Sequence, residues 1–204
     1  MHDYPVRFSV DYPDRPLNRL TTGFRFITVI PIAILVATLE HLNVQAGRHW
    51  FEVTTAGGLI VLATVLMLLF RQKYPRWWFD WNLEFSRFTN RVTVYWLLMD
   101  DRYPSTDDHQ SVHLDFPEVS GPELSRWLPL VKWFLAIPHF IVLAFLSIAV
   151  FFVVIYAWFA ILFTGRYPRG AFEFVEGFLR WGNRVSGYAV VLVTDAYPPF
   201  TLAA

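Results

Sequence analysis

Apolar residues in this chain fall in blocks, without the even two-residue alternation of a half-buried strand. Trp133 to Gly165 contains 33 consecutive positions without Asp, Glu, Lys or Arg. Earlier, Phe26 to Leu39 and Thr54 to Phe70 form two shorter apolar stretches, separated by a polar insert carrying Glu40, His41, Arg48, His49 and Glu52. A single helix of 33 residues would reach about 50 Å at about 1.5 Å per residue, well past a hydrocarbon core of about 30 Å. The pattern therefore predicts two short spans joined by a turn near Leu146 and Ser147, and an equivalent hairpin in the first half. All four segments are short, so Arg25, Arg71, Lys132 and Arg166 are expected to snorkel toward head groups. The alternative for any of them is a re-entrant or in-plane segment.

A different pattern follows each apolar block. Trp77, Trp78, Trp81, Phe85, Phe88, Val92, Tyr95 and Trp96 recur at spacings of three and four, against Arg76, Asp80, Glu84, Arg87 and Arg91. Phe174, Phe178, Trp181, Val185 and Tyr188 repeat this against Glu173, Glu176, Arg180 and Arg184. Both stretches predict amphipathic helices that lie at the membrane surface, set off from the spans by Pro75 and Pro168. Tyr95 to Leu98, Tyr188 to Val193, Val6 to Val10 and Val112 to Leu114 suggest short strands of a small cytoplasmic sheet.

The two halves match in order. Arg19, Arg25, Ile30 and Pro31 recur as Arg126, Lys132, Ile137 and Pro138; Tyr74, Pro75 and Arg76 recur as Tyr167, Pro168 and Arg169; Asn90, Arg91 and Tyr95 recur as Asn183, Arg184 and Tyr188. The offset drops from 107 to 93, and the 14-residue difference is the length of the insert at 40–53. The expected organisation is a first repeat at 1–104, a linker at 105–114 and a second repeat at 115–204. The fold class is then all-α integral membrane: four transmembrane helices in two tandem hairpins, each followed by an amphipathic interfacial helix.

Charge sets the orientation. Every one of the 17 Lys and Arg residues except Arg48 falls outside the hairpin tips, so the positive-inside rule places both termini in the cytoplasm. The repeats would be parallel, related by an axis along the membrane normal. A formal net charge of zero argues against a nucleic-acid partner. With no cysteine, disulfides and thiolate chemistry are excluded. The N-terminal stretch to Pro16 has no apolar core and does not read as a signal peptide.

Candidate chemistry is sparse. No Gly-x-Ser-x-Gly elbow, phosphate loop or His-Glu-x-x-His is present, so no catalytic residue and no cofactor are assigned. His41, His49, Glu40 and Glu52 have no compact metal-ligand spacing. His139 reads as a neutral histidine bonded to a neighbouring helix, since no carboxylate shares its segment. Arg91 and Arg184 are expected to pair with Asp101 and Asp195, or else to hold a lipid phosphate. The candidate lipid or partner contacts are Arg76, Trp77, Trp78, Trp81, Arg91, Arg169, Trp181 and Arg184.

The phrases at 126–139, 163–170 and 181–188 (RWLPLVKWFLAIPH, FTGRYPRG and WGNRVSGY) resemble a bacterial membrane family known as domain of unknown function four-three-eight-nine. The similarity runs over nearly the whole chain, the first copy being more divergent, and implies a bacterial inner-membrane protein without transferring catalytic residues. The expected function is a non-catalytic accessory or scaffolding subunit of a larger membrane complex, docking through aromatic helix faces. A lipid-binding protein is the alternative, and a membrane enzyme or transporter comes third.

Overall fold

The computed structural model describes residues 4–46, 49–54, 56–106, 108–119 and 123–203, and gives the backbone alone over 37–60. The order is β1 (Arg7–Val10), α1 (Arg19–Gly23), α2 (Arg25–Thr28), α3 (Ile30–Glu40), β2 (His41–Ala46), β3 (His49–Thr54), α4 (Ala56–Leu66), a π-helical turn (Met67–Arg71), α5 (Arg76–Trp96), β4 (Val112–Asp115), α6 (Leu128–Thr164) and α7 (Arg169–Ala189).

The four-span architecture is overturned. The second apolar block is one continuous helix of 37 residues, the only described helix long and apolar enough to cross a membrane. No turn occurs at Leu146 and Ser147. Between Phe140 and Thr164 there is no Gly, Pro or Asn to stop a helix, and a tight turn needs such residues. The first breaker is Gly165, which caps α6 at φ 74°, in the left-handed region that glycine enters without strain. In the first half the apolar stretches make the short helices α3 and α4, and the polar insert between them pairs as an antiparallel hairpin of β2 and β3, His41 opposite Thr54.

Helices form over both amphipathic stretches, and they pack into the body of the protein, α5 on β4 and α7 on α6 and β1. Each opens at an arginine, Arg76 or Arg169, with Pro75 or Pro168 in the capping position. Proline suits that place because its missing N–H has no intrahelical partner there. The strands differ from expectation. β1 pairs antiparallel with β4, Phe8 opposite Leu114 and Val10 opposite Val112. The stretch from Tyr95 is the end of α5, and that from Tyr188 is the end of α7 and the turn after it. β4 takes up the last three positions of the expected linker at 105–114.

Arg87 of α5 donates from Nε to the Leu114 carbonyl (2.9 Å), and Arg180 of α7 donates from Nε to the Phe8 carbonyl (3.0 Å). Each helix therefore holds one strand of the ribbon. The inward side chains Val6, Phe8, Val10, Val112 and Leu114 join the main core with Phe172, Val175 and Leu179 from α7. Here α7 approaches the chain so closely that a Cβ on Gly187 would lie 2.8 Å from Val6 Cγ2.

One stripe of α6 faces this body along its whole length. Pro129, Lys132, Ala136, His139, Val150, Ala157 and Ile161 are buried, and Leu143, Leu146, Val153 and Val154 are half-buried between them. The three-and-four spacing is that of a helix lying along a partner. The opposite face is bare and apolar: Phe134, Ile141, Phe145, Ile148, Phe152, Tyr156, Phe159 and Phe163 are all exposed. Only 11 % of the most apolar 18-residue window is buried, the reverse of a soluble protein's core helix.

Candidate functional site

Two basic side chains expected to reach outward turn inward instead. Arg25 is 1 % exposed and Lys132 0 %, and they occupy matching corners. Arg25, which opens α2, lies with its guanidinium carbon 4.0 Å from the centre of the Tyr95 ring. Its Nη1 donates to the carbonyls of Asp100 (2.7 Å) and Tyr95 (3.2 Å). Lys132, one turn into α6, lies with Nζ 5.0 Å from the centre of the Tyr188 ring, and donates to the Thr194 carbonyl (2.7 Å). Snorkelling fails at these positions because each cation finds carbonyl oxygens and an aromatic face inside the body.

The corners differ in their counter-ion. Lys132 Nζ meets Asp195 Oδ1 at 2.7 Å, and the other oxygen of that carboxylate accepts the Ser125 N–H (2.7 Å). At the Arg25 corner, the matching Asp101 accepts the Asn18 N–H (3.0 Å) but is held by both Nη atoms of the exposed Arg15. Asp100 is occupied by Arg102 and by the Ser111 hydroxyl (2.6 Å). Burial alone would push the Asp100 carboxyl up, but the Ser111 and Arg102 hydrogen bonds prevail and hold it below its ordinary range. Among the described residues no carboxylate lies within ion-pair distance of Arg25, and its Nε and Nη2 have no hydrogen-bond partner.

Beside Arg25 lies a cavity of about 350 Å³, lined by Phe26 of α2, Trp96, Leu97 and Leu98 at the end of α5, and the stretch of α6 from Phe151 to Phe159. Trp158 closes one side and donates its indole N–H to the Thr22 carbonyl (3.2 Å).

The sequence-derived contacts divide. Arg76 and Trp77 are exposed, with Arg76 paired to Glu118 (3.1 Å). Trp81 is exposed and stacks between Trp78 and Phe85, while Trp78 is half-buried and donates to Thr64 (2.9 Å). Arg169 is exposed and lies over the Tyr12 ring (4.9 Å). The other three are internal. Arg91 donates to the Ser105 and Thr106 carbonyls rather than to Asp101. Arg184 lies over the Tyr4 ring (5.7 Å), and Asp195 is taken by Lys132. Trp181 donates to His139 Nδ1 (3.1 Å), which leaves that nitrogen unprotonated and the imidazole stacked on Phe200 at 3.9 Å.

Asn90 and Asn183 stand at matched places in the two halves. They exchange two amide hydrogen bonds, each 2.8 Å, between α5 and α7. The roles of Arg25 and Lys132 were missed, although both stand at matched places in the two halves. Among the described residues no group of His, Asp and Glu side chains could hold a metal ion; the histidines and acids of the 40–53 insert lie outside the described side chains.

Residues 127–201 match the family model described as Domain of unknown function (DUF4389). The match covers α6, α7 and the segment after them once, and thus contains the Lys132 corner but not the Arg25 corner. No curated protein and no solved structure matches the chain.

Proposed function

We propose that this chain is a membrane-seated, non-catalytic lipid-contact protein whose longest helix lies in the plane of the membrane surface. The observation that carries it is the two-sidedness of α6, with one stripe against a polar body and the rest a bare aromatic surface. The body accompanies this helix from end to end. Near one end Lys132 meets Thr194 and Asp195, and at the other Gly165 accepts from the Leu17 N–H (2.8 Å). The N-terminal arm bridges that distance, from Tyr4 bonded to the Ala196 carbonyl (2.9 Å) to Leu17. Thirteen extended steps at about 3.3 Å give roughly 43 Å, and α6 from Lys132 to Gly165 rises about 50 Å. The arm carries Arg7, Asp11, Asp14 and Arg15. The arm packs through β1 on α7 and β4, and charges on the body that covers one face of α6 suit a helix half-sunk in the head-group region.

The paired corners, the reciprocal Asn90–Asn183 bonds and the Arg87 and Arg180 contacts to facing strand residues also support reading the halves as two diverged copies of one unit around a local twofold.

The test is flotation of the purified full chain with liposomes of pure phospholipid, alongside the double variant Phe145→Asp/Phe152→Asp. The expected result is flotation of the wild type without any other protein, and loss of most of it in the variant. Wild-type protein that stays at the bottom and binds membranes only when other membrane proteins are present would favour the accessory-subunit function instead.

A further inference from the structure

We propose that the cavity beside Arg25 is a binding site for an anionic amphiphile, one acyl chain lying against Phe26, Trp96 and the Phe151–Phe159 face of α6, with its acidic head on the Arg25 guanidinium. A buried cation needs a counter-charge, because its desolvation is costly. Lys132 has one in direct contact, Asp195 at 2.7 Å, whereas Asp101 and Asp100 act on Arg25 only at longer range, their oxygens being bonded to Arg15 and Arg102. The guanidinium keeps Nε and Nη2 unpartnered at 1 % exposure. A planar fork with free N–H groups suits a carboxylate or a phosphate.

The remaining wall is apolar and aromatic, with a volume of about 350 Å³, within the usual range of small-molecule sites. Apart from the indole N–H groups of Trp96 and Trp158, the latter bonded to the Thr22 carbonyl, its side chains offer nothing polar to satisfy a sugar or a peptide. A ligand that is apolar along its length and anionic at one end is the chemistry that complements both parts. Membrane seating supplies the source of such a ligand, and the proposal rests on that reading only to this extent.

The chain has no cysteine, so Ile155→Cys places a unique thiol in the cavity wall. In full-length protein in dodecyl maltoside, the rate of maleimide labelling is measured with palmitate, phosphatidylglycerol, phosphatidylcholine or inorganic phosphate. We expect at least tenfold protection by an anionic amphiphile, and none by phosphatidylcholine or inorganic phosphate. Whether palmitate or phosphatidylglycerol protects better separates a free fatty acid from a lipid head group. Adding Arg25→Gln should abolish the protection and Arg25→Lys should restore part of it. Equal protection by phosphatidylcholine, undiminished protection in Arg25→Gln, or no protection by any ligand would overturn the proposal. If Arg25→Gln does not fold, the ranking of the four ligands on the Arg25 background decides. The assay needs no bilayer, so its failure and a failure of membrane seating are separate results.

Discussion

The Arg25 and Lys132 corners are built from the same parts and end in different states. Each places a basic side chain at the start of an apolar block, over a tyrosine ring and under backbone carbonyls, with an aspartate nearby that caps a neighbouring backbone N–H. At Lys132 the aspartate closes on the cation and the corner is complete. At Arg25 an additional arginine, Arg15, has captured the aspartate, and an apolar cavity opens alongside. One exposed residue outside the matched set thus separates a direct ion pair from a buried cation without one.

The largest expected effect comes from breaking the closed corner. Lys132→Met strands Asp195 beside a buried wall and should cost about 3 kcal/mol, the scale of a half-removed buried pair. Arg25→Met strands no carboxylate; the Asp100 carbonyl loses its donor but the Tyr95 carbonyl keeps the Leu98 N–H (3.2 Å), so it should cost less, about 1–2 kcal/mol. Denaturation in a mild detergent titrated with dodecyl sulfate reads both. Equal losses would erase the difference between the corners.

Next comes the link between the halves. In a double-mutant cycle of Asn90→Ala and Asn183→Ala, the reciprocal amide pair should show a coupling of about 1 kcal/mol; additive losses would mean the two helices are not joined there. A smaller effect is expected from acid. Asp100 is held below its ordinary value of 3.8 in the folded state, so its contribution is present above that value and is lost as pH falls through the folded one. The stability gap between wild type and Asp100→Asn should accordingly be constant from pH 7 to 5 and shrink below about pH 4. A gap that instead grows in acid would contradict the hydrogen-bond assignment. The slightest change is expected from Arg15→Ala. It frees Asp101 to compensate Arg25 and should weaken anionic-amphiphile protection several-fold with little change in stability.

The amphipathic helices were legible because their spacing and the prolines before them are local signals. The span count was not. Bilayer thickness favours two short spans over one long helix, but the one turn-forming residue at the expected bend, Ser147, donates to the Ala144 carbonyl (2.7 Å) and stays within α6, and no polar insert like that at 40–53 interrupts the second half. The arginines at 91 and 184 look like surface anchors in sequence because they sit on the charged side of their helices. That side faces the arm and the 105–106 loop, a tertiary arrangement that periodicity cannot show. Arg25 and Lys132 were recognised as matched, but the partner that separates them, Arg15, lies outside the pattern.

The position of α6 relative to the bilayer is tested most directly by single cysteines at Phe134, Phe145, Phe152 and Phe163, spin-labelled in liposomes and read for depth by contact with oxygen and with a water-soluble nickel chelate. An in-plane helix predicts a similar shallow depth at all four sites. A profile that is deepest in the middle, with Phe134 and Phe163 accessible from opposite sides of the membrane, would contradict it.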